Sequence, residues 1–496
     1  MDNDERQSYT VDEALTSMGF GKFQYLVFAY AGLGVFAEAM EVMILSFIGP
    51  AVKSEWELSP SEESLLTTVV FAGNLIGAYL WGLISDNYGR KKGFLGIATI
   101  TSAVGLLSAF SPSYASLLSL RCLVGIGIGS GPIFLAWFLE FVPAAKRGTW
   151  MVIFSTFWTL GSIFEASLAW IVMTRLNWRW LLALSSIPSF SVLLLYCLAP
   201  ESLRYLHMKG RAADVHHILE KIALLNKAKI PNGMLVSDTI ISPDEEFAPP
   251  DDHIPLLSSN KIKIKKQKLG FSSFPLLFSS RLIRTTLLLW LLFFGNAFTY
   301  YGIILLTSKL SSMQSKCGST LTFSENMQNS SSLYLDVFLA SLGEVPGLVF
   351  AAIIVDRAGR KLSTVIMLIL VFIFLLPLPM LQSNILITGS LVVARMFSFG
   401  AFTIACIFTP EIYPTFIRSS GAGVANAIGK TGGMICPLVA VGLVTGCHET
   451  AVVILFEVVI VVAIICVTLI PFATKGRGLS DTIDGESHSR PVTVGQ

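Results

Sequence analysis

The chain has 496 residues, 53% of them hydrophobic and 14% charged, with a mean hydropathy of +0.68. Soluble domains carry roughly 25% charge, so water cannot be the solvent for most of this surface, and a soluble enzyme is excluded. A formal net charge of +2 provides no field for binding nucleic acid; the placement of the charges carries the information.

Residues 1–22 read as a cytoplasmic N-terminal segment. Thr10 to Glu13 fits a capping box, which predicts a short helix ending at Met18 before Gly19. The first 20 residues are polar and show no cleavable signal peptide, so the first span does the targeting. From there the chain falls into about twelve apolar runs of about 20 residues, each long enough to cross a bilayer as a helix. They begin near Tyr25, Leu65, Gly93, Ala115, Thr149, Leu181, Thr285, Tyr334, Ser363, Ile385, Ser419 and Thr450.

The first span, Tyr25 to Ile48, carries Glu38 and Glu41 three residues apart, on one helical face. Charges at membrane depth are expensive, so these acids are expected to face a cavity or each other. The next loop reads GLISDNYGRKK from Gly82 to Lys92: Gly89 permits a tight turn, Asp86 is expected to accept hydrogen bonds from a neighbouring helix start, and Arg90 to pair with acids across the inter-half interface. In the fourth span Arg121 precedes Gly125, Gly127, Gly129 and Gly131. With no strand before it, this series predicts close helix packing rather than a nucleotide loop.

A first bundle of six spans occupies 23–200, and a cytoplasmic linker fills 201–283. Within the linker, Ala212, Val215, Ile218, Leu219, Ile222 and Leu225 recur at helical spacing. Pro231 to Pro255 has the acidic, proline-rich composition of disorder, and five lysines between Lys261 and Lys268 form a basic cluster that suits anionic lipid.

The second bundle, 284–472, repeats the first. Asp86, Gly89 and Arg90 return as Asp356, Gly359 and Arg360 after 270 residues, and Glu140, Pro143 and Arg147 return as Glu411, Pro414 and Arg418 after 271. Self-similarity of this length inside apolar sequence is a transporter signature. The seventh span places Asn296, Tyr300 and Tyr301 together; the following loop holds the sequon at Asn329, a glycosylation acceptor if it faces the lumen. Cys317 and Cys447 fall on the outer side, where a disulfide between them is allowed; the remaining cysteines sit mostly inside spans. Gly429, Lys430 and Thr431 miss a phosphate loop because Val424 stands where a glycine is required, so no cofactor is expected, and no metal spacing is found. A cytoplasmic tail, 473–496, closes the chain. Its cations Lys475 and Arg477 share one side with Arg90, Lys91, Lys92, Lys146, Arg147, Arg357, Arg360, Lys361 and Arg418, which places both termini in the cytoplasm.

GLISDNYGRKK, the E-x-x-P-x-x-x-R-G run from Glu140 to Gly148, PESLRYL from Pro200, PEIYP from Pro410 and the closing PFATKGR resemble the major facilitator superfamily over nearly the whole chain. More narrowly, YTVDEALTSMGFGKFQ, AEAMEVMILSF and FFGNAFTYYG resemble the plant organic cation/carnitine transporter 7 group, which is similar to niacin (nicotinate) transporters and synaptic vesicle 2-related proteins. The resemblance implies an all-α membrane protein of twelve transmembrane helices in two pseudo-symmetric six-helix bundles. It implies alternating access for a small organic ion, with a proton as coupling ion, and a monomer in the bilayer.

In related organic ion carriers the position that Lys430 resembles is acidic for cations and basic for anions. A buried cation wants a counter-anion, so nicotinate or a pyridine carboxylate such as trigonelline is favoured over an organic cation or carnitine; the competing reading pairs Lys430 with a protein acid. Tyr300, Tyr301, Asn296, Trp158 and Arg121 are the further substrate candidates, with Trp137 and Glu165 weaker, and Arg395 is the counterpart of Arg121 in the tenth span. Glu38 or Glu41 is expected to carry the proton; the competing reading is an acid paired permanently with Arg121 or Lys430. Asp86, Arg90, Glu140, Arg147, Asp356, Arg360, Glu411 and Arg418 are expected to gate the cytoplasmic side. Two other classes stay open: a non-transporting membrane receptor, and a sugar porter, against which NAFTYYG stands where paired glutamines are usual. The expected location is the plasma membrane, with an acidic dileucine pattern from Asp252 to Leu257 pointing instead to an internal one such as the vacuole.

Overall fold

A computed structural model describes residues 8–129, 131–143, 147–231, 233–235, 277–279, 282–313, 329–380, 384–413, 418–445 and 449–471. Its helices form twelve spans, six in each half. In the first half they are Lys22–Met43 running on into Leu45–Trp56; Pro60–Tyr88; Arg90–Ser108; Tyr114–Ile128 followed after an interruption by Gly131–Leu139; Arg147–Met173; and Trp178–Ser185 with Ile187–Leu194. In the second they are Ile283–Met313; Asn329–Leu342 with Glu344–Ala358; Arg360–Leu375; Asn384–Ile412; Arg418–Thr445; and Glu449–Leu469. Among the described residues ten helices are long and apolar enough to cross a bilayer. The third span falls short because it opens on Arg90, Lys91 and Lys92.

The glycines of the fourth span do pack helices. A Cβ on Gly125 would strike the Val70 carbonyl, one on Gly129 the backbone of Asn74 and Ala78, and one on Gly77 the Ile126 carbonyl, so the second and fourth spans touch backbone to backbone. The Trp81 indole N–H seals this contact by donating to the Ile126 carbonyl at 2.8 Å. Gly127 instead faces Thr101 of the third span, and Gly131 faces Glu38 of the first.

The N-terminal segment and the linker fold together beneath the first half. Thr10 and Glu13 cap the helix Val11–Met18 reciprocally, at 2.9 and 3.2 Å, and Gly19 ends it at φ +67°. The linker helix, Ala212–Asn226, buries Val215, Leu219, Ile222 and Ala223. Its last residue ties it to the start of the first span: the Asn226 side-chain Oδ1 accepts from the Phe23 backbone amide at 3.1 Å, and its Nδ2 donates to Gln24 Oε1 at 2.8 Å. A two-residue parallel pairing, Ser8–Tyr9 against Met234–Leu235, closes the cap. The periodicity of this linker segment thus encodes a docking face for the first half.

Among the described residues apolar side chains collect in three clusters. One fills the second half, one joins the cap to the first half, and the third crosses between halves, packing Phe47, Phe71 and Val70 with Tyr300, Tyr301, Tyr334 and Phe399.

Candidate substrate site and gates

The loop motifs act within their own halves. Arg90 pairs with Asp86 at 3.0 Å and with Glu140 at 3.6 Å, all in the first half; Arg360 pairs with Glu411 at 3.1 Å in the second. In this conformation the described partners of Arg90 lie in its own half rather than across the interface. The role expected of Asp86 also belongs elsewhere: Glu201 of PESLRYL accepts from the Lys91 amide at 3.2 Å and thereby caps the third span. Gly89, at φ +102°, and Gly359, at φ +82°, make the two tight turns, a backbone region closed to most side chains. Arg147 bonds Asp12 of the cap at 2.8 Å, and Asp12 also meets Arg204 at 3.4 Å. Among the acids, Glu140 is gripped by Ser202. Burial pushes its carboxyl up from the ordinary range, and Arg90 pulls it back. The side chains of Asp356, Arg418 and Asn329 lie outside the described ones, as do Cys317, Cys447, the residues from Asp252 to Lys268 and the tail. Asn329 itself starts a helix rather than sitting in a loop.

Among the described residues three groups of buried charges stand at membrane depth, with Glu457 of the last span buried outside them. In the first half Arg121 donates to Glu41 at 2.8 Å and to Ser108 at 2.5 Å, both ion-pair side chains being fully buried. Glu165 lies beside them and accepts from Ser185 at 2.8 and 2.9 Å. In the second half Arg395 pairs with Glu344 at 2.7 Å, and Glu344 also accepts from the Tyr300 hydroxyl at 2.7 Å. The third group joins the halves: Lys430 of the eleventh span stands 3.7 Å from Glu38 of the first, with Tyr301 next to both.

Other contacts between halves lie at this depth or farther from the loop motifs. The Trp158 indole donates to the Tyr300 hydroxyl at 3.0 Å, Thr68 donates to the Met434 carbonyl at 3.3 Å, and Phe71 packs edge-on against Tyr301 with centroids 4.6 Å apart. Phe47 meets Tyr334 and Trp170 meets Phe338 farther along.

The sequence candidates therefore separate. Lys430, Glu38, Tyr301, Tyr300 and Trp158 come together between the halves. Arg121 is taken up by Glu41, inside the wall of the first half. Trp137 is a packing residue, fully buried with its indole N–H on the Pro200 carbonyl at 3.2 Å. Asn296 is buried with neither side-chain amide atom bonded among the described residues, an amide available to a ligand. Sequence reasoning missed Glu344, the partner of Arg395. A carboxylate inside an apolar run was the available signal, and Glu344 stands 270 residues after Asn74, the same offset as the loop motifs.

Two related helical halves that meet on charges buried at membrane depth define a membrane transporter. Comparison with known proteins agrees. The model of the Major Facilitator Superfamily matches residues 31–435. The chain is 52% identical to organic cation/carnitine transporter 7 of Arabidopsis thaliana, over 99% of this chain and 100% of that one. It is 36% identical to the synaptic vesicle 2-related protein of Xenopus laevis, over 97% of this chain and 84% of that one. Among solved structures, a partially occluded inward open conformation of the xylose transporter from E. coli shares the fold with a TM-score of 0.68 at 16% identity, covering 92% of this chain and 100% of that one. The chain belongs to the Major Facilitator Superfamily and is a multi-pass membrane protein.

Proposed function

We propose that this chain is a proton-coupled carrier of a small organic carboxylate, of the size and kind of nicotinate, working by alternating access. The observation that carries the reading is the Glu38 to Lys430 pair at 3.7 Å, with one partner from each half. A buried ammonium needs an anion. Protonation of Glu38 frees Lys430 for the carboxylate of a substrate, whose ring packs against Tyr301 and Phe71. Glu41 is the weaker proton carrier, since its bond to Arg121 stays inside one half. When the loop side closes, Arg90, Glu140, Arg360 and Glu411 exchange partners to hold it. The test is uptake of labelled nicotinate into proteoliposomes with an alkaline lumen. Uptake that needs the pH gradient and disappears in Lys430→Ala supports the reading; gradient-independent uptake, or none, refutes it.

One observation favours a second substrate. Lys430 and Glu38 sum to no charge, which suits a dipolar betaine such as trigonelline or carnitine, with its carboxylate on Lys430 and its cationic nitrogen on Glu38. The name of the Arabidopsis relative points the same way. Competition by trigonelline stronger than by nicotinate selects it, and transport of choline, which lacks a carboxylate, sinks both. Relatives named for synaptic vesicles favour an internal membrane, which fluorescent tagging in cells decides against the plasma membrane.

A further inference from the structure

Glu38 has a second neighbourhood besides Lys430. Inside the first half its side chain lines a small cavity together with Thr101 of the third span and Ser189 of the sixth, walled by Gly34, Phe134 and Val192. Thr101 and Ser189 are 4% and 3% exposed, and among the described residues neither hydroxyl has a hydrogen-bond partner; nor does Oε2 of Glu38. This is unusual within the same helices. Thr99 and Ser102 bond back to the carbonyls of Leu95 and Ala98 at 2.7 and 2.6 Å, the common resting place for a hydroxyl in a membrane helix. A buried hydroxyl left unmatched gives up its hydration with nothing in return. Three such oxygens from three spans around one space, roomy enough for a water molecule, describe a water site rather than a packing fault.

We propose that this cavity is a water site that relays the proton to Glu38 from within the first half, so that proton and substrate reach the carboxylate from different sides. The inference rests on Glu38 being the proton carrier. A water there accepts from one of the hydroxyls, or donates to it, and donates to Glu38; a hydronium at the same place passes its proton to the carboxylate, leaving neutral water and a carboxylic acid. The other groups facing Glu38 are Lys430 and Tyr301 from the second half and the Gly131 backbone, while Glu41 on its own helix is engaged by Arg121. The side toward Lys430 is left to the substrate.

Thr101→Val and Ser189→Ala, separately and together, remove the hydroxyls at nearly constant volume. In the purified protein the carboxylic acid band of Glu38, identified by its loss in Glu38→Gln, is followed by infrared titration and by hydrogen–deuterium exchange. The double variant is expected to move the band to higher frequency and to slow its exchange by about tenfold, the scale of one lost hydrogen bond; Thr101→Ser is expected to restore both. In proteoliposomes gradient-driven nicotinate uptake is expected to fall by a similar factor, while nicotinate exchange at equal pH stays near wild type. An unchanged band and exchange rate in the double variant overturn the relay, as does an equal loss of driven uptake and exchange. A wild-type protein that moves no nicotinate refutes the proposed substrate, and the infrared measurement still decides the water site.

Discussion

Removing Glu344 isolates the energetics of a buried pair. Its carboxylate accepts from Arg395 at Nε and Nη2, 2.8 and 2.7 Å, and from the Tyr300 hydroxyl at 2.7 Å, with both ion-pair side chains fully buried. In Glu344→Ala the guanidinium keeps, among the described residues, Met43 Sδ at 3.7 Å and Tyr300, whose ring centre lies 5.9 Å away. A buried charge stripped of its partner costs about 3–5 kcal/mol. For a cooperative unit of 150–250 residues each kcal/mol is worth about 2–4 °C, so the melting temperature should fall by about 6–20 °C. Differential scanning fluorimetry of the detergent-purified protein measures this. Glu344→Leu with Arg395→Met should recover most of the loss, because replacing both members of a buried pair by apolar groups is often close to neutral. A single variant that melts within about 2 °C of wild type, or a double variant as unstable as the single, refutes the assignment of Glu344 as the required counter-ion.

Trp158→Phe deletes one neutral hydrogen bond between halves, at 3.0 Å; a loss of about 1 kcal/mol should shift the balance toward the state open on the far side about fivefold, read as labelling of cysteines placed there. Asp12→Ala breaks two half-exposed pairs, with Arg147 and Arg204. It should cost at most about 1 kcal/mol yet speed tryptic cutting after Arg204. Burial raises the Glu140 carboxyl, so the folded state binds its proton more tightly than the unfolded state does. Its contribution to stability is complete below the ordinary carboxylate range and is lost as pH rises through the raised value. Glu140→Gln should flatten that slope in melting curves taken across a pH series.

Legibility followed physical range. The spans, the loop turns at Gly89 and Gly359, the cap at Thr10 and the packing glycines of the fourth span all depend on neighbours within a turn or on hydropathy, and a single sequence displays both. Partners distant in the chain did not show. Arg121 and Arg395 stand out as charges inside apolar runs, but nothing local says that one takes Glu41 from the first span and the other Glu344 from the eighth. The loop motif likewise advertises Asp86, while the acid that caps the third span is Glu201, more than a hundred positions away. For Lys430, both a substrate anion and a protein acid fit the same residue pattern, and only the tertiary placement of Glu38 brought the acid forward.

The distribution of bond strengths bears on how such a body moves. The tight, fully buried ion pairs, Arg121 with Glu41 and Arg395 with Glu344 at 2.8 and 2.7 Å, each stay inside one half. The bonds that cross are weaker: an ion pair opened to 3.7 Å and neutral hydrogen bonds at 3.0 and 3.3 Å. Breaking one of the first kind costs about 3–5 kcal/mol, whereas a neutral bond of the second kind contributes about 1 kcal/mol net. Neutral hydrogen bonds and an opened ion pair therefore hold the halves to each other less firmly than the tight pairs hold each half together, and the crossing apolar cluster supplies the rest of the resistance to two rigid bodies rocking about a shared site. On the proposed function, the crossing ion pair is also the one whose partners a proton and a carboxylate would replace, so one of the interactions that resists the motion is one the ligands would release.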